Sequence, residues 1–190
     1  ESAWSFAARS RPFLANSMWS MGLTWAPLLA VGAWATTRDA GDYAAADRVA
    51  QILPLLLVAI NTAVAPVVAP LWARSEIAEI RRIVARTSRW TTAAAFVICG
   101  SLALLAPFIL DAFGTGQSGL TALRVLLAGQ FVVLAAGPMS VTLAMSGGEV
   151  VLHRIGAVTF AAQVVLLVAL VPRNGATGAA IAAAVSWATS

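Results

Sequence analysis

Long apolar runs recur roughly every 25–30 residues along the chain, and most of the charge lies between them. The runs cover residues 13–35, 44–72, 90–110, 120–145 and 150–171, with a sixth starting at 176. Polar stops separate them: Thr36-Thr37-Arg38-Asp39, the stretch from Ala73 to Arg89, Asp111-Ala112-Phe113-Gly114, Ser146-Gly147-Gly148 and Pro172-Arg173-Asn174-Gly175. Each complete run is long enough, as a helix, to cross a hydrocarbon core about 30 Å thick. The alternating segments of a β-barrel, about ten residues each, are not seen. The pattern predicts an all-α, polytopic transmembrane bundle of about five complete spans plus a truncated sixth. Pro27, Pro54, Pro66 and Pro138 fall inside runs and are expected to kink them, and Pro70 also lies in the second run. The chain opens at Glu1 and stops inside an apolar run, so it is expected to be a piece of a longer protein.

Composition strengthens this reading. Hydrophobic residues make up 60% of the chain, charged residues 11%, and the mean hydropathy is +0.85. A soluble domain carries about 25% charged residues. Water is therefore not the solvent for most of this surface, which excludes many soluble functions. The net charge of +4 comes from 12 basic residues, all arginine. In a polytopic chain such charge is topogenic rather than a sign of nucleic-acid binding. Arg74, Arg81, Arg82, Arg86 and Arg89 follow the second run, and alternate spans put Arg9, Arg11 and Arg154 on the same side. Arg38, Arg48, Arg124 and Arg173 fall on or near the other side. The positive-inside rule makes the first side cytoplasmic. Trp19, Trp34, Trp72 and Trp90 lie near run ends, where indole rings prefer the interface.

The stretch from Ser75 to Arg89 reads as a short amphipathic connector helix on the cytoplasmic side. Ser75 can cap it. Glu76 and Glu79 come early and the arginines late, as the helix dipole favours. Ile77, Ile80, Ile83 and Val84 form its apolar stripe. Its basic face either rests on anionic lipid heads or is an ordinary solvated loop face.

Candidate chemistry is sparse. There is no phosphate-binding loop, nucleophile elbow or His-plus-acid metal motif. With one cysteine, Cys99, and one histidine, His153, neither an intrachain disulfide nor a zinc site is expected. No enzyme activity and no cofactor are expected. The second run holds the residues of interest. Asp47 and Arg48 sit about one turn into it, where Arg48 either snorkels to the interface or lines a cavity. Asn61 and Thr62 lie deeper, before Pro66, and Asn61 needs a hydrogen-bond partner from another helix or from water in a lumen. Gln130, Ser140, Thr142 and Gln163 are further polar residues within runs. Gln163 is a candidate for interhelical bonding.

Gly41-x-Tyr43-x-x-Ala46-x-Arg48-x-Ala50 followed by Asn61-x-x-x-x-Pro66 resembles the polysaccharide-exporter family, the Wzx-type flippases of lipid-linked oligosaccharides. That family lies within the multidrug/oligosaccharidyl-lipid/polysaccharide exporter superfamily. Three further stretches resemble the end of the family's ninth helix, its tenth helix and the turn into its twelfth. They are Pro107-Phe108-Ile109-Leu110-x-x-Phe113-Gly114, Leu126-Leu127-x-Gly129-Gln130 and Pro172-x-x-Gly175-Ala176-x-Gly178-Ala179-Ala180-Ile181-Ala182. The resemblance covers nearly all of residues 1–190 as one C-terminal six-helix half-bundle. The connector Trp72-Ala73-Arg74-Ser75-Glu76 departs from it, lacking the Gly-Asp often found there.

What the resemblance implies is a multi-pass transporter of the bacterial inner membrane. Two half-bundles, the N-terminal one missing here, would surround an alternating-access cavity. The substrate would be an undecaprenyl-pyrophosphate-linked saccharide, with Arg48 on the pyrophosphate and Arg38 attracting the head group at the outer mouth. Tyr43 and Trp25 would stack on sugar rings, Asn61 would line the passage, and Asp47 would couple an ion. The same superfamily leaves open a cation-coupled multidrug exporter or a flippase for the peptidoglycan lipid precursor. A polytopic glycosyl or acyl transferase is the reading from another class, and the dispersed acids Asp39, Asp42, Asp111 and Glu149 speak against it.

Overall fold

The computed structural model describes residues 3–74, 76–136 and 149–189. Those residues are almost wholly helical: α1 (Ala3–Trp34), α2 (Thr37–Ala50), α3 (Ile52–Ala73), α4 (Ile77–Ala112), α5 (Gln117–Ala136) and α6 (Glu149–Thr189). Among the described residues there is no strand. Among the described residues four helical stretches are long and apolar enough to cross a membrane: Thr37–Val64, Ile77–Ala112, Gln117–Ala135 and Arg154–Thr189. Pro138 and the end of the fourth apolar run lie outside the described residues, as does Ser75, the expected cap.

The helix limits differ from the apolar runs in three informative places. The second run is two helices, not one. Gln51 closes α2, its amide donating to the Asp47 carbonyl at 2.9 Å. Three residues later Pro54 has no N–H to offer Ala50, and its ring crowds that carbonyl, so the chain steps before resuming as α3. The interruption is shallow, with φ −66° and ψ −9° at Gln51, and the apolar stretch continues through it. Pro66 and Pro70 sit inside α3 without ending it.

The second difference is α4. The expected connector and the third run form one 36-residue helix, about 54 Å long at about 1.5 Å per residue. No glycine or proline lies between Ile77 and Trp90, so nothing in the backbone ends a helix there. The third is α6, in which the fifth and sixth runs are joined across a sharp break at Gly175, with φ 51° and ψ −128°. That backbone suits glycine, and a Cβ at 175 would also fall 2.9 Å from the carboxyl carbon of Asp39.

The first run, by contrast, is not interrupted at Pro27. This ring leaves the Leu23 carbonyl without its donor four residues on. The side chain of Gln163, fully buried on α6, supplies one: its Nε2 donates to Leu23 O at 3.0 Å. Membrane helices tolerate proline where a neighbouring helix re-satisfies the backbone in this way. The α1–α6 and α5–α6 pairs are the most extensively packed.

The core lies between α1, α2, α4, α5 and α6, with Leu53 joining it from the start of α3. Val31, Tyr43, Ala46, Leu53, Leu123, Leu126, Val171 and Ala183 are buried there. Small residues let the backbones close: a Cβ on Gly129 of α5 would meet Ala184 Cβ at 2.6 Å. α3 packs mainly on α4 through a small cluster of Val64, Val68 and Ile80.

Candidate functional site

α2 is the polar helix of the molecule, and its two faces do different jobs. It starts with a capping box. Asp39 N donates to Thr36 Oγ1 at 3.1 Å, and Thr36 N donates back to Asp39 Oδ2 at 3.4 Å. One turn on, Asp42 is 3% exposed and reaches α5. Its carboxylate accepts from the Gly116 amide at 3.2 Å and from the Ser118 hydroxyl. It thereby caps the N-terminus of α5, where free amides and the helix dipole favour an anion. Tyr43, Ala46, Val49 and Ala50 continue the same face into the core. Spacing of three and four residues makes this one stripe.

Tyr43 is therefore a correction to the sequence reading. At 1% exposure its ring is packed among the helices and cannot stack on a sugar. The residue before Ala44 falls on the inward face because Asp42 fixes how α2 is rotated against α5.

The outward face carries the arginines. Arg38 and Arg48 are exposed, about 15 Å apart along α2. They line one cavity of about 440 Å³ with Gly41, Ala44, Ala45 and the turn Phe113-Gly114-Thr115. The Arg38 guanidinium lies close to the Gly116 turn that Asp42 caps. Neither arginine forms a salt bridge among the described residues.

Arg48 also borders a second, smaller cavity of about 110 Å³, with Thr24, Trp25, Leu28, Asp47 and Gln51. Gln51 Nε2 donates to Asp47 Oδ2 at 2.5 Å, so the acid's first partner is Gln51, one turn on, rather than Arg48. Trp25 is 47% exposed at this edge and borders a third depression with Ser17, Ser20, Met21 and Thr24. Four of the expected site residues, Arg38, Arg48, Asp47 and Trp25, thus gather along one side of α1 and α2. The side chain of Asn61 lies outside what is described; its backbone is in α3.

Five residues at or beside the site were given no role by sequence reasoning. Gln51 was hidden inside the apolar run, although it stands four residues after Asp47. Ser20 and Thr24, with Ser17, mark a polar stripe at helical spacing in an otherwise apolar run. The Thr24 hydroxyl donates to its own backbone at Ser20 O, 3.0 Å away. Asp42 was visible as one of the scattered acids, but its bonds to α5 cross 74 residues of sequence.

Chemically, the site offers two guanidinium forks without a salt bridge among the described residues, a carboxylate that accepts a hydrogen bond from Gln51, and an indole face. Such forks pair bidentately with phosphate oxygens. Among the described residues there is no group of three or more metal-ligating side chains. Comparison of the chain with protein-family models, with curated proteins and with solved structures finds no match.

Proposed function

We propose that this chain is one half-bundle of an alternating-access transporter of the bacterial inner membrane, with five complete spans and a sixth. In this reading it flips an undecaprenyl-pyrophosphate-linked saccharide during polysaccharide export. The observation that carries the reading is the pairing of Arg38 and Arg48 on one cavity, with Arg48 where the membrane-length stretch Thr37–Val64 turns apolar. An arginine within such a stretch is costly unless it faces water or an anion. Two guanidiniums on one cavity suit a doubly phosphorylated head group. The lipid tail would stay in the bilayer while the head crossed beside α2, with the N-terminal half-bundle closing the other wall. Trp25 would contact sugar at the rim.

The test is surface glycan export in cells that depend on this protein. Arg48→Ala lowers export about tenfold or more at normal protein level, the expected loss for a charge-assisted phosphate contact of about 1.5–3 kcal/mol. Arg48→Lys restores part of it, because an ammonium lacks the planar fork. Normal export by Arg48→Ala removes the arginine from the substrate path.

A second reading rests on the smaller cavity. Asp47 and Trp25 together suit an organic cation, as in a cation-coupled drug exporter. Drug efflux lost in Asp47→Asn, with glycan export intact, selects it.

A further inference from the structure

α4 carries a second group of arginines on a surface unlike the α2 cavity. Arg82, Arg86 and Arg89 recur at helical spacing and share a shallow cavity of about 640 Å³ with Ala85, Trp90 and Ala93. Arg82 lies 3.6 Å from Glu79, the one acid against this face among the described residues. Arg86 and Arg89 have no carboxylate within ion-pair distance among the described residues. Past Trp90 the same surface turns apolar. A second cavity of about 570 Å³ shares Arg89 and Ala93 with the first and runs on to Phe96, Val97 and Phe131. Phe96 and Phe131 meet edge to face across α4 and α5, with ring centroids 6.4 Å apart. Phe96 and Trp90 are each 71% exposed.

The two cavities form one groove with a cationic end, an indole at the junction and an apolar wall. An amphiphile with an anionic head has the complementary order. The length fits as well. The 23 residues from Trp90 to Ala112 span roughly 34 Å, close to a hydrocarbon core of about 30 Å, so Trp90 falls at the interface. We propose that this groove binds an anionic phospholipid of the surrounding leaflet, its phosphate between Arg86 and Arg89 and an acyl chain along Ala93, Phe96 and Phe131. The site is separate from the α2 cavities and does not depend on the transport reading. It would hold a resident lipid rather than cargo.

Tryptophan emission tests it. The purified full chain is placed in phosphatidylcholine nanodiscs containing a fixed fraction of brominated phosphatidylglycerol or, in parallel, brominated phosphatidylcholine. The anionic lipid quenches more. Six other tryptophans also report, so the part of the excess carried by Trp90 is read as the difference between the unmodified chain and W90F; this part falls about fivefold for each arginine removed in R86Q and in R86Q/R89Q. R86K/R89K keeps most of it. All three side chains are exposed, so the substitutions leave the core alone. Should the double variant fail to insert, the unmodified chain decides alone: the excess quenching falls when the ionic strength reaches about 1 M and the screening length about 3 Å. Equal quenching by the two lipids overturns the proposal. So does an excess undiminished in W90F, one indifferent to salt, or one abolished by inorganic phosphate as readily as by unbrominated phosphatidylglycerol.

Discussion

Two sets of arginines stand on two helices of this molecule, and their surroundings differ. Arg38 and Arg48 project from α2 into a cavity walled by the α4–α5 turn, and Arg48 also meets α1. Arg82, Arg86 and Arg89 stand on one side of α4, over a cavity whose described lining is that helix alone. The charge is alike; the number of elements around it is not. A walled cation can select among anions by shape. An open one selects by charge and depth in the membrane. Asp42 sets the difference by holding the packed face of α2 on α5, with Asp39 lying close beside Gly175 of α6, and so fixes where the arginines point.

Breaking that lock is the strongest way to erase the contrast. Gly175→Val forces a branched side chain into a positive-φ backbone and against the Asp39 carboxyl. A loss of about 3 kcal/mol is expected, enough to unfold much of the protein in mild detergent, read by thermal unfolding. Asp42→Ala is milder. It strands the Gly116 amide and the Ser118 hydroxyl at the α5 terminus and costs about 1–3 kcal/mol. It also frees α2 to rotate, so under the proposed transport reading export falls while the proposed anionic-lipid preference of α4 is kept. Loss of both would show that the two arginine sites are not independent. The smallest effect is expected from Gln163→Leu, about 0.6 kcal/mol, as is average for interhelical bonds in membrane proteins. The loss is small because Gln163 Oε1 itself has no partner among the described residues. Its sharper readout is amide exchange, faster after substitution at the turn of α1 around Leu23.

The apolar runs, the arginine-rich segments and the turn at Pro172–Gly175 could be read from the sequence, since composition and local backbone chemistry decide them. The site was half legible. Arg48 and Asp47 stand out because charge in an apolar run is costly, and Arg38 because it follows a clear stop. The fate of Tyr43 was not legible. Whether a residue points inward depends on the rotation of α2, which Asp42 sets through residues more than seventy positions away. The join of residues 75–89 with the third run was also hidden, because polarity changes at Trp90 while helix propensity does not. Pro54 acts in the opposite sense, disturbing the chain three residues before itself, within a stretch of uniform greasiness.

The continuity of α4 has a mechanical corollary. Its backbone stays helical through 36 residues, Pro107 included, so the arginine-bearing turns and the greasy turns belong to one continuous rod. A tilt of about 10° at one end sweeps the far tip through roughly 9 Å, given a length of about 54 Å. A lipid gripping the charged tip would therefore damp the swing of the whole rod, and swapping that lipid would retune how readily the rod leans.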